Sequence, residues 1–250
     1  MPALFSTSAQ LIKLSDVLTR YMTLPFFDDK IPGGIMEAVL AYIRHADVLR
    51  TYDFVDVVKR DSALGWQVKA TKKSTPLTWK RAKIPNALQL IKESHLSERG
   101  MQNLGDEILH FCNSHARHSM ELYNLEKIGY ARLILDDSQK TLTYFERELC
   151  ERNNPVIFDP QNFVWHWTQQ KQGKSGSKEQ LSSLHGMHKL TNVKWFAWHG
   201  LGENQLHFSG EQVWWPNLGS PHMVTFDIPA PSQRLTLEQF IEILSRLDEV

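Results

Sequence analysis

The sequence predicts an α/β protein: a mixed sheet flanked by helices in the first part, followed by a β-rich second part. Three patterns carry this reading. A helical stripe over residues 33–46 leads into two β-rich runs, a long helical pattern over 102–124 precedes two more strands, and aromatic and amide residues alternate in the last third. With 250 residues, 42% of them hydrophobic, the chain can bury a sizeable core. The expected division is 1–130 for the α/β core and 131–250 for the β-rich region.

The first helix follows from Ile35, Ala38, Val39, Tyr42, Ile43 and Ala46, which fall on one face at helical spacing. A β-hairpin is expected next. Val55, Val57 and Val58 form one β-rich run and Trp66 and Val68 another, with the turn-like segment from Lys59 to Gly65 between them. Side chains alternate faces along a strand, so Gln67 and Lys69 share one side while Trp66, Val68 and Ala70 share the other. The preceding strand offers two acids, Asp53 at its mouth and Asp56 within it. Asp53 is favoured because the mouth is where a cation can approach, although strand parity leaves Asp56 open.

Further along, Leu104, Ile108, Phe111, Cys112, His115 and Tyr123 mark the long helix. Tyr130 to Leu135 and Lys140 to Phe145 read as strands around an Asp136-Asp137-Ser138-Gln139 turn. Residues 169–180, with Gly173 and Gly176 beside three lysines, read as a loop. Trp195 to Trp198 and Gln205 to Phe208 alternate as two strands joined through Gly200 and Gly202. Thr236 and Gln239 have capping-box spacing at the start of a last helix, whose stripe is Leu237, Phe240, Ile241, Leu244 and Leu247. That helix is read as structural, with dimerisation as the alternative.

Asp53 or Asp56, then Gln67, one residue and Lys69, with Glu37 on the helix before them, resembles the PD-(D/E)XK nuclease core in the variant where Gln replaces the second acid. Type II restriction endonucleases and Mrr-like nucleases are similar in this respect. Tyr52 stands where the name-giving proline would be. The order of helix, acidic strand and Gln-x-Lys strand also fits, and the resemblance covers roughly residues 33–130. It implies a restriction-endonuclease-like sheet, magnesium (Mg2+) as cofactor, and sequence-specific hydrolysis of double-stranded DNA; a cytoplasmic location is expected separately, from two cysteines without a disulfide framework and an N-terminus without signal-peptide order. The resemblance also implies a cognate DNA methyltransferase as functional partner, with a homodimer as one form of the active unit. Alternatives are a repair or modification-dependent nuclease, or a DNA-binding or assembly protein on an inactive nuclease scaffold.

The chemistry gives each residue type a reason. Phosphodiester oxygens repel a nucleophile, leaving a barrier from which about 20 kcal/mol must be removed. A hard cation on carboxylate and carbonyl oxygens acidifies water and offsets the charge on phosphorus. Asp53 is the expected anchor. Gln67 offers only a neutral carbonyl oxygen, so Glu37 or Asp56 must supply further negative charge. Lys69 orients or deprotonates the water, or stabilises the pentavalent phosphorus.

From Lys69 to Lys92 the chain carries Lys72, Lys73, Lys80, Arg81 and Lys83 without an acid, interleaved with Thr75, Thr78 and Trp79. This suits phosphate contact, as do Lys174 and Lys178 in the later loop. Asn204, Gln205 and His207 are candidate readers of base edges. Lys plus Arg and Asp plus Glu each total 28, so local clustering must do any steering.

Other chemistry fits less well. Cys112 and Cys150 make neither a disulfide framework nor a zinc ligand set. Thr168 stands where a P-loop around Gly173-Lys174-Ser175 needs its first glycine. His110, His115 and His118 lie on a helix whose stripe takes His115 into the core, and His199 and His207 lack the flanking pattern of a His-Asn-His nuclease. The N-terminus lacks the order of a signal peptide.

Overall fold

A computed structural model of the chain describes residues 3–51, 53–168, 183–200 and 203–247. Helices α1 (Ser8–Met22) and α2 (Gly33–Arg44) lead into strands β1 (Asp47–Val48), β2 (Val57–Lys59) and β3 (Leu64–Lys72). β4 (Thr78–Arg81), α3 (Ala87–Ser94) and α4 (Glu98–Leu122) follow, then β5 (Lys127–Asp136) and β6 (Thr141–Glu151). The remainder is β7 (Phe163–Trp167), β8 (Leu184–His188), β9 (Val193–His199), β10 (Gln205–Phe208), β11 (Met223–Asp227) and α5 (Leu237–Leu247). The α/β class holds. Among the described residues no helix is long and apolar enough to cross a membrane.

Two compact units arise, and their boundary is not at residue 130. One comprises residues 1–75, 119–152 and 216–250, and the other 76–118 and 153–215. The reason is strand pairing. β5 and β6 lie beyond most of the expected core, yet β5 pairs in parallel with β3 over nine residues, from Leu64↔Lys127 to Lys72↔Leu135. Parallel neighbours require a long crossover, and the first piece of the second unit is contained in it.

In the first unit the sheet order is β1-β2-β3-β5-β6-β11, antiparallel except for β3 and β5. Trp66, Val68, Leu133 and Leu135 belong to one buried cluster with Leu14 and Leu18 of α1 and Met36, Val39, Leu40 and Ile43 of α2. The helical stripe is therefore rotated from the expected one. Met36 and Leu40 are buried, whereas Tyr42 is 57% exposed and Ala38 also faces out. Lys13 explains part of this, since its ammonium sits 4.2 Å from the Tyr42 ring centroid.

Thr7 and Gln10 close a capping box on α1, and the Gln10 amide donates to the Ile43 carbonyl at 2.9 Å, which ties α1 to the last turn of α2. Arg44, at the end of α2, is buried, donates to the carbonyls of Ala3 and Leu4, and stacks over Trp66 at 4.9 Å. Glu146 is buried on β6 and accepts from Ser6 N–H at 2.6 Å and from the Ser6 and Tyr144 hydroxyls at 2.7 and 2.6 Å. Buried charges need such partners, and these fix the N-terminal segment and α2 against the sheet. The α5 stripe is less buried than its pattern suggests. Phe240 meets Phe26 edge-on at 5.2 Å, but Leu237, Ile241 and Leu244 are exposed.

In the second unit a five-stranded antiparallel sheet has the order β4-β10-β9-β8-β7. The two strands expected around Trp195 and Gln205 form as β9 and β10, while Gly202 lies outside the described residues. Trp165, Phe196, Trp198 and Phe208 are core side chains. Trp165 lies over Gly186 on the neighbouring strand and against Gly105 of α4, where an added Cβ would sit 2.8 and 2.2 Å from its ring. Gly105 thus allows the helix to approach the sheet. Substituting Gly105→Ala should cost about 1–3 kcal/mol through overpacking, measured as a loss of unfolding free energy in urea.

Candidate functional site

The candidate site is built where β2, β3 and α2 meet in the first unit. β3 is paired on both edges, with antiparallel β2 and parallel β5. Trp66 and Val68 point into the helical core, so alternation sends Gln67 and Lys69 to the opposite face. Parallel pairing sets Tyr130 beside Gln67 and Arg132 beside Lys69. Arg132 is buried and donates to the Thr71 hydroxyl at 2.9 Å. The sequence signal for this arginine is its place inside an otherwise apolar strand.

Asp56 is the acid brought to Gln67. Asp56 immediately precedes the Val57↔Trp66 pair, and its backbone departs from that register by also bonding to Trp66. Asp56 N–H donates to the Trp66 carbonyl at 2.8 Å, and its carboxylate Oδ2 accepts from Val68 N–H at 2.7 Å. The side chain thus replaces a ladder acceptor, which pins its oxygens beside β3. The favoured candidate, Asp53, is engaged through one of its oxygens. Its Oδ2 accepts the hydrogen bond of the Tyr123 hydroxyl, which raises the tyrosine's pKa. Strand parity could not separate the two acids because the local irregularity at Asp56 is a matter of hydrogen bonding.

Glu37 completes the group. It lies on α2 one turn beyond Gly33, and its Oε1 is 3.6 Å from where a Cβ on Gly33 would be. Its pKa is raised, first by burial and then by the negative field of Asp56, with the Lys69 ammonium opposing both. The three charges therefore feel one another. On the face of β3 opposite the helical core, the Gln67 side chain is 2% exposed, and its buried Oε1 has no hydrogen-bond partner among the described residues. Leaving a buried carbonyl unsatisfied costs about 1–3 kcal/mol. A cation or a water would remove that cost.

Two carboxylates and an amide oxygen form an all-oxygen donor set of the kind hard cations take. Among the described residues no three His, Cys, Asp or Glu side chains form a metal-holding group, so any such ion would depend on the amide as its third protein ligand. The Cys residues do not contribute. Both are buried, with thiol pKa values pushed up to about 12 chiefly by burial.

The expected phosphate-contact residues are scattered. Lys72 and Lys73 pair with Asp137 and Asp136 at 3.1 and 2.6 Å, so the turn acids partly neutralise the start of the basic stretch. The Lys73 ammonium and Ser138 hydroxyl hold the Asp136 carboxyl well below the usual range. Thr75 is exposed after β3. Thr78, Lys80 and Arg81 lie on β4 of the second unit, Lys83 is exposed just beyond, and Gln205 and His207 are on β10 next to β4. Asn204 precedes β10 with φ of 50°, and its carbonyl accepts from Ala82 N–H at 2.7 Å, a turn role. Lys174 and Lys178 lie outside the described residues. Of His110, His115 and His118, only His115 is partly buried, and it packs on Phe111 at 4.4 Å.

Comparison with protein-family models, with curated proteins and with solved structures found no match.

The coupling around Glu37 has a sign that can be measured. Asp56→Asn removes a cause that raises the Glu37 pKa and should lower it, while Lys69→Met removes the opposing charge and should raise it. Carbon-13 NMR titration of the Glu37 carboxyl reads both shifts, and opposite signs in the two variants are the expected result.

Proposed function

We propose that the protein is a magnesium-dependent endonuclease of PD-(D/E)XK type, acting on double-stranded DNA as type II restriction endonucleases do. The observation that carries this reading is the buried Gln67 side-chain carbonyl, without a hydrogen-bond partner among the described residues, on the strand to whose Val68 N–H Asp56 is anchored, with Lys69 two residues further on the same face as Gln67. The order α2, acidic strand, Gln-x-Lys strand supports it, as does the convergence of Glu37 on the same charges. A restriction-endonuclease-like core would then comprise α2, β1, β2, β3 and β5.

On this reading Asp56, Glu37 and the Gln67 carbonyl hold Mg2+. When bound, the ion lowers the pKa of water and offsets charge on the phosphate oxygens. The chain's own contribution is positional. Val68 N–H fixes the rotamer of Asp56, so its oxygens need little reorganisation to act. Glu37 is held by α2 within the field of Asp56 and Lys69, and burial with the Asp56 charge makes it hold a proton more tightly than an ordinary glutamate. Lys69 supplies a positive charge, next to Arg132 in the sheet, where negative charge grows on phosphorus. Asp53, engaged by Tyr123, has a supporting role at most.

Incubation with mixed-sequence plasmid tests the proposal. Discrete fragments should appear with magnesium and not with EDTA. Lys69→Ala and Asp56→Asn should each reduce the cleavage rate about a hundredfold or more, and Asp53→Asn far less. Binding without cutting in any divalent cation would favour an inactive scaffold. Smearing without discrete bands would favour a non-specific nuclease.

A further inference from the structure

The exposed face of the second unit's sheet carries a row of imidazoles that the candidate active site does not use. Direct cross-strand partners share a face, and the register sets His166 of β7 opposite His185 of β8, His185 opposite Ala197 of β9, Ala197 opposite His207 of β10, and His207 opposite Thr78 of β4. His199 and Gln205, two residues along, join the same face as a further pair. The opposite face holds the aromatic core.

The row has a built character. Ala197 leaves a floor with no long side chain, between His185 and His207 on the flanking strands. His166 and His185 are 5.9 Å apart at their ring centroids, and His199 and His207 are 5.0 Å apart, each pair edge to face. The Ser183 hydroxyl lies 3.1 Å from His185 Nε2 and that of Thr78 3.5 Å from His207 Nδ1, so each ring has one nitrogen engaged by a neighbour. A second ring nitrogen is left to meet a ligand.

Charge decides which ligand. Across β4, β7, β8, β9 and β10 there is no Asp or Glu, and the imidazole face carries Arg81 opposite Gln205, Lys194 opposite Met187 and four of the strands' five histidines, His188 lying with Phe163 and Trp195 on the other face. Burial and the charges of Lys194, His166 and His199 hold the His185 pKa down to about 4. His207 is lowered by burial, His199 and Lys194, with Glu203 of the preceding turn acting against them. Burial first, and positive neighbours after it, disfavour the protonated form of these rings in isolation. An anion laid on the face reverses that balance.

We propose that this imidazole face, centred on Ala197, is a contact surface for the phosphate backbone of duplex DNA, one that binds more tightly as pH falls. The inference rests on the nuclease reading for the identity of the polyanion. Its sign follows from linkage. The phosphate raises imidazole pKa values in the complex, so binding takes up protons. Affinity then rises between the bound-state and free-state values, by at most about tenfold per pH unit for each proton taken up.

The test is fluorescence anisotropy of a mixed-sequence labelled duplex, in EDTA, from pH 7.5 to 5.5. Wild-type protein should bind more tightly at each step down. The double variant His185→Gln/His207→Gln should lose most of this pH dependence and bind about tenfold more weakly at pH 6. Val164→Glu places a carboxylate on the same face at a site 48% exposed on β7, and should weaken binding at every pH without burdening the fold. If wild type binds but neither variant changes affinity or pH slope, the inference is overturned and the nuclease reading stands. If wild type binds no duplex at any pH, both fall.

Discussion

The position of β3, hydrogen-bonded along both edges, is the constraint on which the candidate site depends. β3 has antiparallel β2 on one edge and parallel β5 on the other, and from Leu64 to Val68 it is buried on both faces. Trp66 and Val68 fill one face with helical core, and the other must then take Gln67 away from water. An amide in that place is costly unless something binds its oxygen. The same pairing lines up Val68 N–H to receive the Asp56 carboxylate. One backbone arrangement thus produces both the buried carbonyl and the oriented acid.

The surrounding structure holds that arrangement in place. Arg44 and Glu146, each buried and each satisfied by the segment from Ala3 to Ser6 or its neighbours, clamp α2 to the sheet, and α2 carries Glu37. Buried polar networks of this kind are destabilising when half satisfied, so they favour one registration of helix on strand. The Glu37 pKa is raised first by burial in that position on α2 and then by the Asp56 field. The second unit uses a different economy. Its aromatic core is built on glycines at 105 and 186 that admit Trp165, which leaves the other sheet face to polar side chains.

Local signals in the chain were sufficient for several elements. The valine run and the Trp66 to Ala70 alternation specify a hairpin, the stripe through Leu104 and Ile108 specifies α4, and the alternations near Trp195 and Leu206 specify β9 and β10. Other elements carried weaker signals. The two-residue β1 is too short for periodicity, and β4 sits in a segment dominated by lysine and threonine. The stripe of α2 was read one step around the helix, since Ala38 and Tyr42 are apolar enough to pass for core while Met36 and Leu40 are buried. The basic stretch looked free of acids because Asp136 and Asp137, its partners, are more than sixty residues away in sequence.

What the sequence by itself determined is the chemistry available: an acid-rich strand, an amide and an amine at Gln-x-Lys spacing, and a helix with one glutamate ahead of them. Alternation alone guarantees that Gln67 and Lys69 share a face. Tertiary structure decided how the two acids are held, Asp56 by a hydrogen bond from Val68 and Asp53 by one from Tyr123, seventy residues away. It also decided where the units divide. Residues distant in sequence become neighbours only when β5 returns beside β3, and no local pattern encodes the closure of so long a loop.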